Sequence, residues 1–207
     1  MQNKILNSYN ICFLGRTGNG KSSLINSLFG TSLTTDPLVP CTKHLSVSTI
    51  ISDRCEGYNS VAAYDTPGIG EFSDNTPYQL YYQHAVRQAN CIVLVTTLDR
   101  TDAPAQRLLL SLKKFLDQKR NPQFIVALNH IDSRTTIGSQ EDTVWDNECN
   151  CPTSYRMNQI QERILIIKEK FESIFLPLDV VPVCALRGYG IEQLKTSIWK
   201  TSLRLKD

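Results

Sequence analysis

The sequence predicts a three-layer α/β fold in which helices cover both faces of a six-stranded, mostly parallel β-sheet. Apolar runs of strand length alternate with amphipathic helical segments along the chain, which is the pattern of a parallel sheet with crossover helices. The strand segments 44–51 and 61–64 are joined by too few residues for a parallel crossover. This pair is therefore expected to be antiparallel, with one antiparallel strand at the edge of the sheet.

Length and composition restrict the class of protein. The chain has 207 residues, of which 41% are hydrophobic, and this predicts one globular domain over residues 1–207. A formal net charge of +2 gives no indication of nucleic acid as a partner. The seven cysteines are odd in number, so we expect reduced thiols rather than disulfides. Neither a signal peptide nor an apolar run of about 20 residues for a transmembrane segment is recognisable, which predicts a cytoplasmic protein.

Each element follows from its hydrophobic period. The first strand, 9–14, ends in glycine and leads to a helix over 21–29 that carries its leucines and isoleucine on one face. In the strand 44–51, Leu45, Val47 and Thr49 share one side. The other elements are predicted, in chain order, as a strand at 61–64, a helix at 76–89, a strand at 91–97, a helix at 104–118, a strand at 123–128, a helix at 157–175, a strand at 180–184 and a helix at 191–203.

Two long segments have little periodicity. Residues 30–43 form a polar loop that contains proline, and residues 133–156 form an insertion before the long helix. Loops of this length are usually functional or mobile.

The most specific motif lies between the first strand and the first helix. Its sequence, GRTGNGKS from Gly15 to Ser22, matches the phosphate-binding P-loop pattern. Glycines allow the backbone N–H groups to surround phosphate oxygens, while the helix N-terminus adds positive partial charge. Lys21 is expected to reach the β- and γ-phosphates, and Ser22 to bind Mg²⁺. The predicted phosphate-binding residues are Gly15, Thr17, Gly18, Asn19, Gly20, Lys21, Ser22 and Ser23. A glycine-rich turn that matches by chance is the alternative.

A second motif, Asp65-Thr66-Pro67-Gly68, directly follows the strand 61–64. Asp65 is expected to hold Mg²⁺ through water, and the Gly68 N–H to meet the γ-phosphate. An isolated sequence of this kind is often only a turn, but its position after a strand favours the functional interpretation.

Two further motifs follow predicted strands. Asn129-His130-Ile131-Asp132 comes after the strand 123–128, and Cys184-Ala185-Leu186 ends the strand 180–184. Both are expected at the carboxyl edge of the sheet, where open α/β sheets bind ligands. An ordinary turn is the alternative for the first of these motifs.

The order of these four motifs over residues 9–199 resembles that of the translation-factor-related GTPases. The resemblance implies that Asp132 accepts hydrogen bonds from guanine N1–H and the exocyclic amine, so that adenine is rejected. It implies that Asn129 bridges the base and the P-loop, and that the Ala185 N–H meets the guanine carbonyl oxygen. The implied base-binding residues are Asn129, His130, Asp132, Cys184, Ala185 and Leu186.

Within this class the sequence resembles the Era/TrmE-like branch. Residues 40–44, PCTKH, are similar to its first switch, which implies that Thr42 closes on Mg²⁺ and the γ-phosphate. Residues 181–194 are similar to its final strand and helix. The segment 129–159 also resembles the YfjP-type bacterial GTPases, and the P-loop resembles those of the GIMAP-type and septin-like GTPases.

Several positions depart from the pattern of the class. His130 stands where lysine is usual, so weaker guanine affinity is expected, and an ATP-binding protein is an alternative. Ile69 replaces a water-orienting glutamine, and Gly18 occupies the place of an asparagine associated with potassium activation. Residues 30–42 contain no arginine, and Arg16 is a catalytic candidate by position only.

These departures predict a slow GTPase that acts as a switch. Lys21, Thr42 and Gly68 are the catalytic candidates, the metal ligands are Ser22, Thr42 and Asp65, and the ligands are Mg²⁺ with GTP or GDP. The loops 30–43 and 68–78 are expected to order around the γ-phosphate and to be read by a protein effector. A nucleotide-binding or dimerisation module with little catalysis remains an alternative, because nucleotide-dependent homodimers are common in the resembling families.

Overall fold

The structure is a computed structural model that describes residues 7–33, 35, 45–51, 58–69, 78–100, 103–116, 122–133, 144–175 and 178–200. The strands are β1 (Ser8–Gly15), β2 (Ser46–Ile51), β3 (Ser60–Asp65), β4 (Cys91–Thr96), β5 (Gln123–Leu128), β6 (Trp145–Asp146), β7 (Cys151–Pro152) and β8 (Leu178–Pro182). The helices are α1 (Lys21–Phe29), α2 (Tyr78–Gln88), α3 (Ala103–Leu112), α4 (Ser154–Phe171) and α5 (Ile191–Trp199), and a 3₁₀ turn, Lys113–Phe115, follows α3.

The main sheet has six strands in the order β2-β3-β1-β4-β5-β8. All neighbouring pairs are parallel except β2 with β3, which is antiparallel and lies at the edge. The predicted fold class is therefore confirmed. Because β3, β1, β4, β5 and β8 run in the same direction, their carboxyl ends meet at one edge of the sheet.

The two faces of the sheet have separate hydrophobic cores, and β1 supplies both. Cys12 and Leu14 pack with residues of α2, α3 and α4, whereas Ile11 and Phe13 pack with residues of α1 and α5. This alternation follows from the two-residue period of a strand that is buried on both faces. The result is the predicted arrangement of three layers.

The long helix α4 begins at Ser154, three residues before the predicted start. Thr153 caps it, since its side-chain oxygen accepts a hydrogen bond from the Arg156 N–H, and a threonine cap satisfies an N–H that would otherwise lack a partner in the helix. The helix also ends earlier than predicted, at Phe171, and α3 ends at Leu112 before the 3₁₀ turn. Helix ends are the least predictable feature of such sequences.

The edge strand β2 alternates as predicted, but its Val47 and Thr49 side faces outward. Val47 is 49% exposed, while Ile50 packs against the core beside α1 and α5. A strand at the edge of a sheet has fewer neighbours to cover it, so an apolar residue there can remain exposed.

The insertion 133–156 contains structure that its sequence did not indicate. β6 and β7 form a two-stranded antiparallel hairpin, with Trp145 opposite Pro152 and Asp146 opposite Cys151. The last strand, β8, was also placed two residues late by the sequence, since it spans Leu178–Pro182. The predicted element residues 44, 76–77, 117–118 and 201–203 lie outside the described residues.

The cysteines in apolar strand runs behave as expected. Cys12, Cys91 and Cys184 are buried and free of disulfides. Burial raises the pKa of the Cys12 and Cys91 thiols well above the usual range, so neither is a reactive thiolate.

Candidate functional site

All four predicted motifs lie at the carboxyl edge of the main sheet. The P-loop follows β1, the Asp65 motif ends β3, the Asn129 motif follows β5, and the Cys184 motif follows β8. Since these strands are neighbours or near neighbours in the sheet, residues distant in sequence meet in one site, as expected for an open α/β sheet.

The P-loop connects the end of β1 to the first residue of α1. Gly20 has a φ of 82°, which favours glycine, and a Cβ there would come within 2.5 Å of Asn129 Nδ2. Glycine is thus needed for both the turn and the close approach. The α1 N-terminus begins at Lys21, so its N–H groups and partial positive charge are available to an anion.

Lys21 is buried beneath this loop. Its Nζ donates to the carbonyl oxygens of Gly15 at 3.1 Å and Arg16 at 3.4 Å. These contacts hold the ammonium group inside the loop, where a phosphate would meet a positive charge.

Ser22 and Asp65 come together at the start of α1. The Ser22 hydroxyl donates to Asp65 Oδ2 at 2.5 Å, and Asp65 is only 2% exposed. A hydroxyl and a carboxylate are hard oxygen donors of the kind that Mg²⁺ prefers, so this pair is suited to the predicted metal. The third predicted ligand, Thr42, lies outside the described residues.

The segment from Thr66 to Ile69 is fastened to the P-loop. Gly68 packs so closely that a Cβ on it would overlap the Thr17 side chain and lie 2.6 Å from the Thr17 nitrogen. The next N–H, of Ile69, donates to Gly15 O at 3.0 Å. Ile69, the residue after Gly68, is 6% exposed and packs in the hydrophobic core.

Asn129 joins the P-loop to the loop after β8. Its Nδ2 donates to Asn19 O at 2.9 Å, and its Oδ1 accepts from the Ala185 N–H at 3.2 Å. Asn129 therefore contacts the P-loop, while its predicted contact with the base stays a prediction. The Ala185 N–H donates to Asn129, and its contact with the base stays a prediction.

His130 lies against Gly20 in a left-handed backbone conformation, with a φ of 57°. A Cβ on Gly20 would lie 2.8 Å from His130 Nε2. Burial lowers the pKa of His130 and Arg100 lowers it further, whereas Asp132 and Asp99 act in the opposite direction. The ring is therefore neutral near pH 7.

Asp132 is held by two residues of the loop after β8. Arg187 Nε donates to its Oδ2 at 3.0 Å, and the Cys184 thiol also hydrogen-bonds to the carboxylate. Partial burial raises the pKa of Asp132, but these hydrogen bonds and the charge of Arg187 lower it below its ordinary value. Burial and the same contact raise the pKa of Cys184 to about 11. Leu186, by contrast, is 86% exposed.

The hairpin of the insertion supports Arg187. The Arg187 guanidinium lies over the Trp145 ring at 4.9 Å, and its Nη1 donates to Asn147 Oδ1 at 2.9 Å. Asn150 Nδ2 donates to the Arg187 carbonyl at 3.1 Å. Arg187 thus connects the hairpin β6–β7 to Asp132.

Sequence reasoning missed two arginines of this site, Arg187 and Arg100. Arg187 lies two residues after Ala185, and Arg100 lies just beyond the carboxyl end of β4. Open α/β sheets bind ligands at the carboxyl ends of their strands, and this argument, which indicated the other motifs, applies equally to Arg100. Neither arginine belongs to a recognisable short motif, so only the fold reveals their contacts.

Comparison with known proteins gives a consistent result. Residues 10–130 match the model of the family described as 50S ribosome-binding GTPase. GTPase Era of Clostridium botulinum is 24% identical over 200 residues, which are 93% of this chain and 55% of that protein. The chain therefore spans little more than half the length of this relative.

Solved structures agree on the fold. An Era structure in complex with MgGDPNP and a segment of 16S ribosomal RNA superposes with a TM-score of 0.66 at 20% identity, covering 94% of this chain and 57% of that chain. Toc33 of Arabidopsis thaliana gives a TM-score of 0.63 at 19% identity, covering 100% and 88%. Among the described residues, no helix has the length and hydropathy to cross a membrane.

Proposed function

The chain belongs to the 50S ribosome-binding GTPase family, and from that premise we propose that it binds GTP with Mg²⁺, hydrolyses it slowly, and acts as a nucleotide-dependent switch. The observation that carries the proposal is the position of Asn129. One amide contacts the P-loop at Asn19 and the loop after β8 at Ala185. This arrangement supports the proposal that phosphate-binding and base-reading groups form one continuous site.

Each residue has a role that follows from its chemistry. The P-loop N–H groups, the α1 N-terminus and Lys21 bind the phosphates. Ser22 and Asp65, with Thr42 from the first switch, would hold Mg²⁺, which neutralises phosphate charge when bound. Asp132 accepts from guanine N1–H and the exocyclic amine, and its lowered pKa keeps it ionised for this purpose. Adenine offers no such donor pair and would leave the carboxylate without its hydrogen bonds.

Slow turnover is proposed because positioning of the attacking water is weak. Phosphoryl transfer depends on positioning and on stabilisation of charge. Ile69 packs into the core, and an apolar side chain offers no hydrogen bond to water. We therefore expect a rate on the order of 10⁻³ s⁻¹ or below for the protein alone.

The switch would act by binding a partner that recognises the GTP-bound state. We propose a protein effector, and the insertion hairpin β6–β7 is a candidate surface because it contacts the base-reading side through Arg187. A nucleotide-dependent homodimer is a second form of output. It is supported by the Toc33 neighbour, which was solved as a dimerization-deficient mutant.

RNA is a second candidate partner. The Era neighbour was solved with a segment of 16S ribosomal RNA, whereas the net charge of this chain is only +2. Direct titration of that RNA segment, with and without nucleotide, tests whether RNA is a partner.

The experiment that tests the proposal is calorimetric titration of the full chain with GDP, GTPγS and ADP in the presence of Mg²⁺, with GTP turnover measured on the same preparation. Preference for GDP over ADP by at least about a hundredfold is expected. Equal binding of ADP would support an ATP-binding protein. Guanine binding with no turnover above background would support a binding module, and a turnover above about 1 s⁻¹ would contradict slow hydrolysis.

A further inference from the structure

Arg100 connects the loop after β4 to the P-loop. Its Nη1 donates to the Thr17 carbonyl oxygen at 2.6 Å and to Asn19 Oδ1 at 3.1 Å. Its guanidinium also lies beside Gly18, where an added Cβ would be 3.4 Å from Nη2. One side chain therefore bonds two residues of the P-loop, Thr17 and Asn19, on either side of Gly18.

The contact with Asn19 extends this arrangement to the sheet. Asn19 is 2% exposed, and its Nδ2 donates to the Val95 carbonyl oxygen in β4 at 2.8 Å. The Asn19 amide is thus fixed by β4 on its nitrogen and by Arg100 on its oxygen. Since Asn19 O also accepts from Asn129, the middle of the P-loop is held from three directions.

Arg100 is itself held in place by α4. Arg163, which is 8% exposed, donates from Nη2 to the Arg100 carbonyl at 2.8 Å and from Nε to the Thr97 carbonyl at 3.3 Å. A buried guanidinium that satisfies two carbonyl oxygens fixes the backbone from which Arg100 extends. The guanidinium of Arg100 consequently reaches the P-loop from a rigid base.

His130 lies on the Gly20 side of the P-loop and, unlike Arg100, does not carry a positive charge near pH 7. The ring lies against Gly20, but burial and the nearby Arg100 lower the pKa of His130, so a neutral imidazole faces the loop near pH 7. A loop built to receive several phosphate charges depends on backbone N–H groups that are held in place and on nearby cations. Among the described residues, Arg100 supplies such a cation on the outer side of the loop, while Lys21 supplies one within it.

We propose that Arg100 is a positioning residue that holds the P-loop in its phosphate-binding conformation from outside, so that removal of its guanidinium weakens nucleotide affinity whatever the base. This inference rests on the proposed nucleotide binding. Arg100 would set the shape of the P-loop through its contacts with the Thr17 carbonyl group and the Asn19 side chain.

The test uses the full chain with Arg100→Ala and Arg100→Gln, titrated with GDP and with IDP, whose base lacks the exocyclic amine. Two charge-assisted hydrogen bonds are lost, so Kd is expected to rise about tenfold or more for both nucleotides, with an unchanged GDP-to-IDP ratio. Arg107→Ala, on the exposed surface of α3, is the matched control and should leave both affinities unchanged.

A rescue variant separates positioning from a general loss of stability. The ring of His130 lies beside Gly20, so the longer, charged side chain of His130→Lys is expected to reach P-loop carbonyl groups. Measured against the single variant His130→Lys, which cancels the effect of the lysine on the base, the double variant Arg100→Ala/His130→Lys should lose no more than about threefold in affinity. Failure of this rescue, together with equal losses in thermal stability for the single and double variants, would assign Arg100 a purely structural role and overturn the inference.

Hydrogen exchange of the P-loop peptide gives a readout that needs no nucleotide. Exchange across residues 16–20 should accelerate in Arg100→Ala and slow again in the double variant. If the unaltered protein binds neither GDP nor IDP, the proposed function fails, while the exchange result still decides whether Arg100 holds the loop. Unchanged exchange in both Arg100 variants would overturn the inference even if GDP binds tightly.

Discussion

Arg187 donates a hydrogen bond from its Nε to Oδ2 of Asp132 across 3.0 Å. The two residues are separated by more than fifty positions in the sequence, and each lies in a loop that follows a strand of the main sheet. The arginine approaches one oxygen of the carboxylate, while the Cys184 thiol also contacts the group. Asp132 is therefore already oriented by protein groups at the place where the base is proposed to bind.

The first prediction concerns Arg187→Ala. Since Arg187 is 37% exposed and Asp132 19% exposed, the pair is partly screened and its loss should cost little stability. A less well oriented carboxylate should raise Kd for GDP by about threefold and reduce the preference for GDP over IDP. Calorimetric titration with both nucleotides provides the measurement. Tighter GDP binding by the variant would mean that Arg187 competes with the base.

The second prediction concerns the hairpin. Asn147→Ala removes an acceptor of Arg187 without altering Arg187 or Asp132. We expect a change of the same sign as that of Arg187→Ala and no larger than about twofold in Kd for GDP. The double variant should bind GDP as Arg187→Ala does, because Asn147 acts through the arginine. Additive losses in the double variant would show that the hairpin reaches the site by another route.

The third prediction concerns Asp132→Asn. The amide presents one acceptor and one donor edge, which matches xanthine, whereas guanine loses one of its two hydrogen bonds and meets a like donor. GDP affinity should fall by at least about a hundredfold, and xanthosine diphosphate should become the preferred ligand. Competition titration with the two diphosphates measures the change. Retained GDP preference would remove Asp132 from base recognition.

The fourth prediction concerns Gly68→Ala. A methyl group there would overlap Thr17, and the backbone on both sides is hydrogen-bonded, so the strain should destabilise the protein by about 1–3 kcal/mol and reduce nucleotide affinity. Gly30→Ala is the matched control, because Gly30 has open space around it and a φ of 67°. That control should lose stability through backbone strain alone and keep its affinity. Thermal unfolding and GDP titration of both variants distinguish these results.

The fifth prediction concerns pH. The pKa of Asp132 is lowered from 3.8, so the carboxylate is ionised throughout the range from about pH 5 to pH 8. Its stabilising contacts are present above the unfolded pKa and are lost only as pH falls through the lower folded value. The ratio of GDP to IDP affinity should therefore be constant across this range. A ratio that collapses between about pH 7 and pH 5 would assign base selection to a histidine instead.

The strands of the main sheet and the positions of the motifs at its edge could be predicted from the sequence, because apolar runs indicate the strands and the motifs have fixed spacings. The strand Gln123–Leu128 and the helix Lys21–Phe29 were predicted with their observed bounds. The hairpin β6–β7 could not be predicted, since strands of two residues have no measurable period. Arg100 and Arg187 were missed for a different reason: their importance lies in contacts with loops that only the folded chain brings together.

Asn129 also holds two loops of the candidate site at one distance from each other. The two ends of its amide are bonded to Asn19 and Ala185, so the separation between the P-loop and the loop after β8 is held by protein atoms. We expect this separation to select ligands by their length. We expect that a molecule whose base and phosphates are joined by a spacer shorter or longer than one ribose would occupy either end of the proposed site, but not both ends at once.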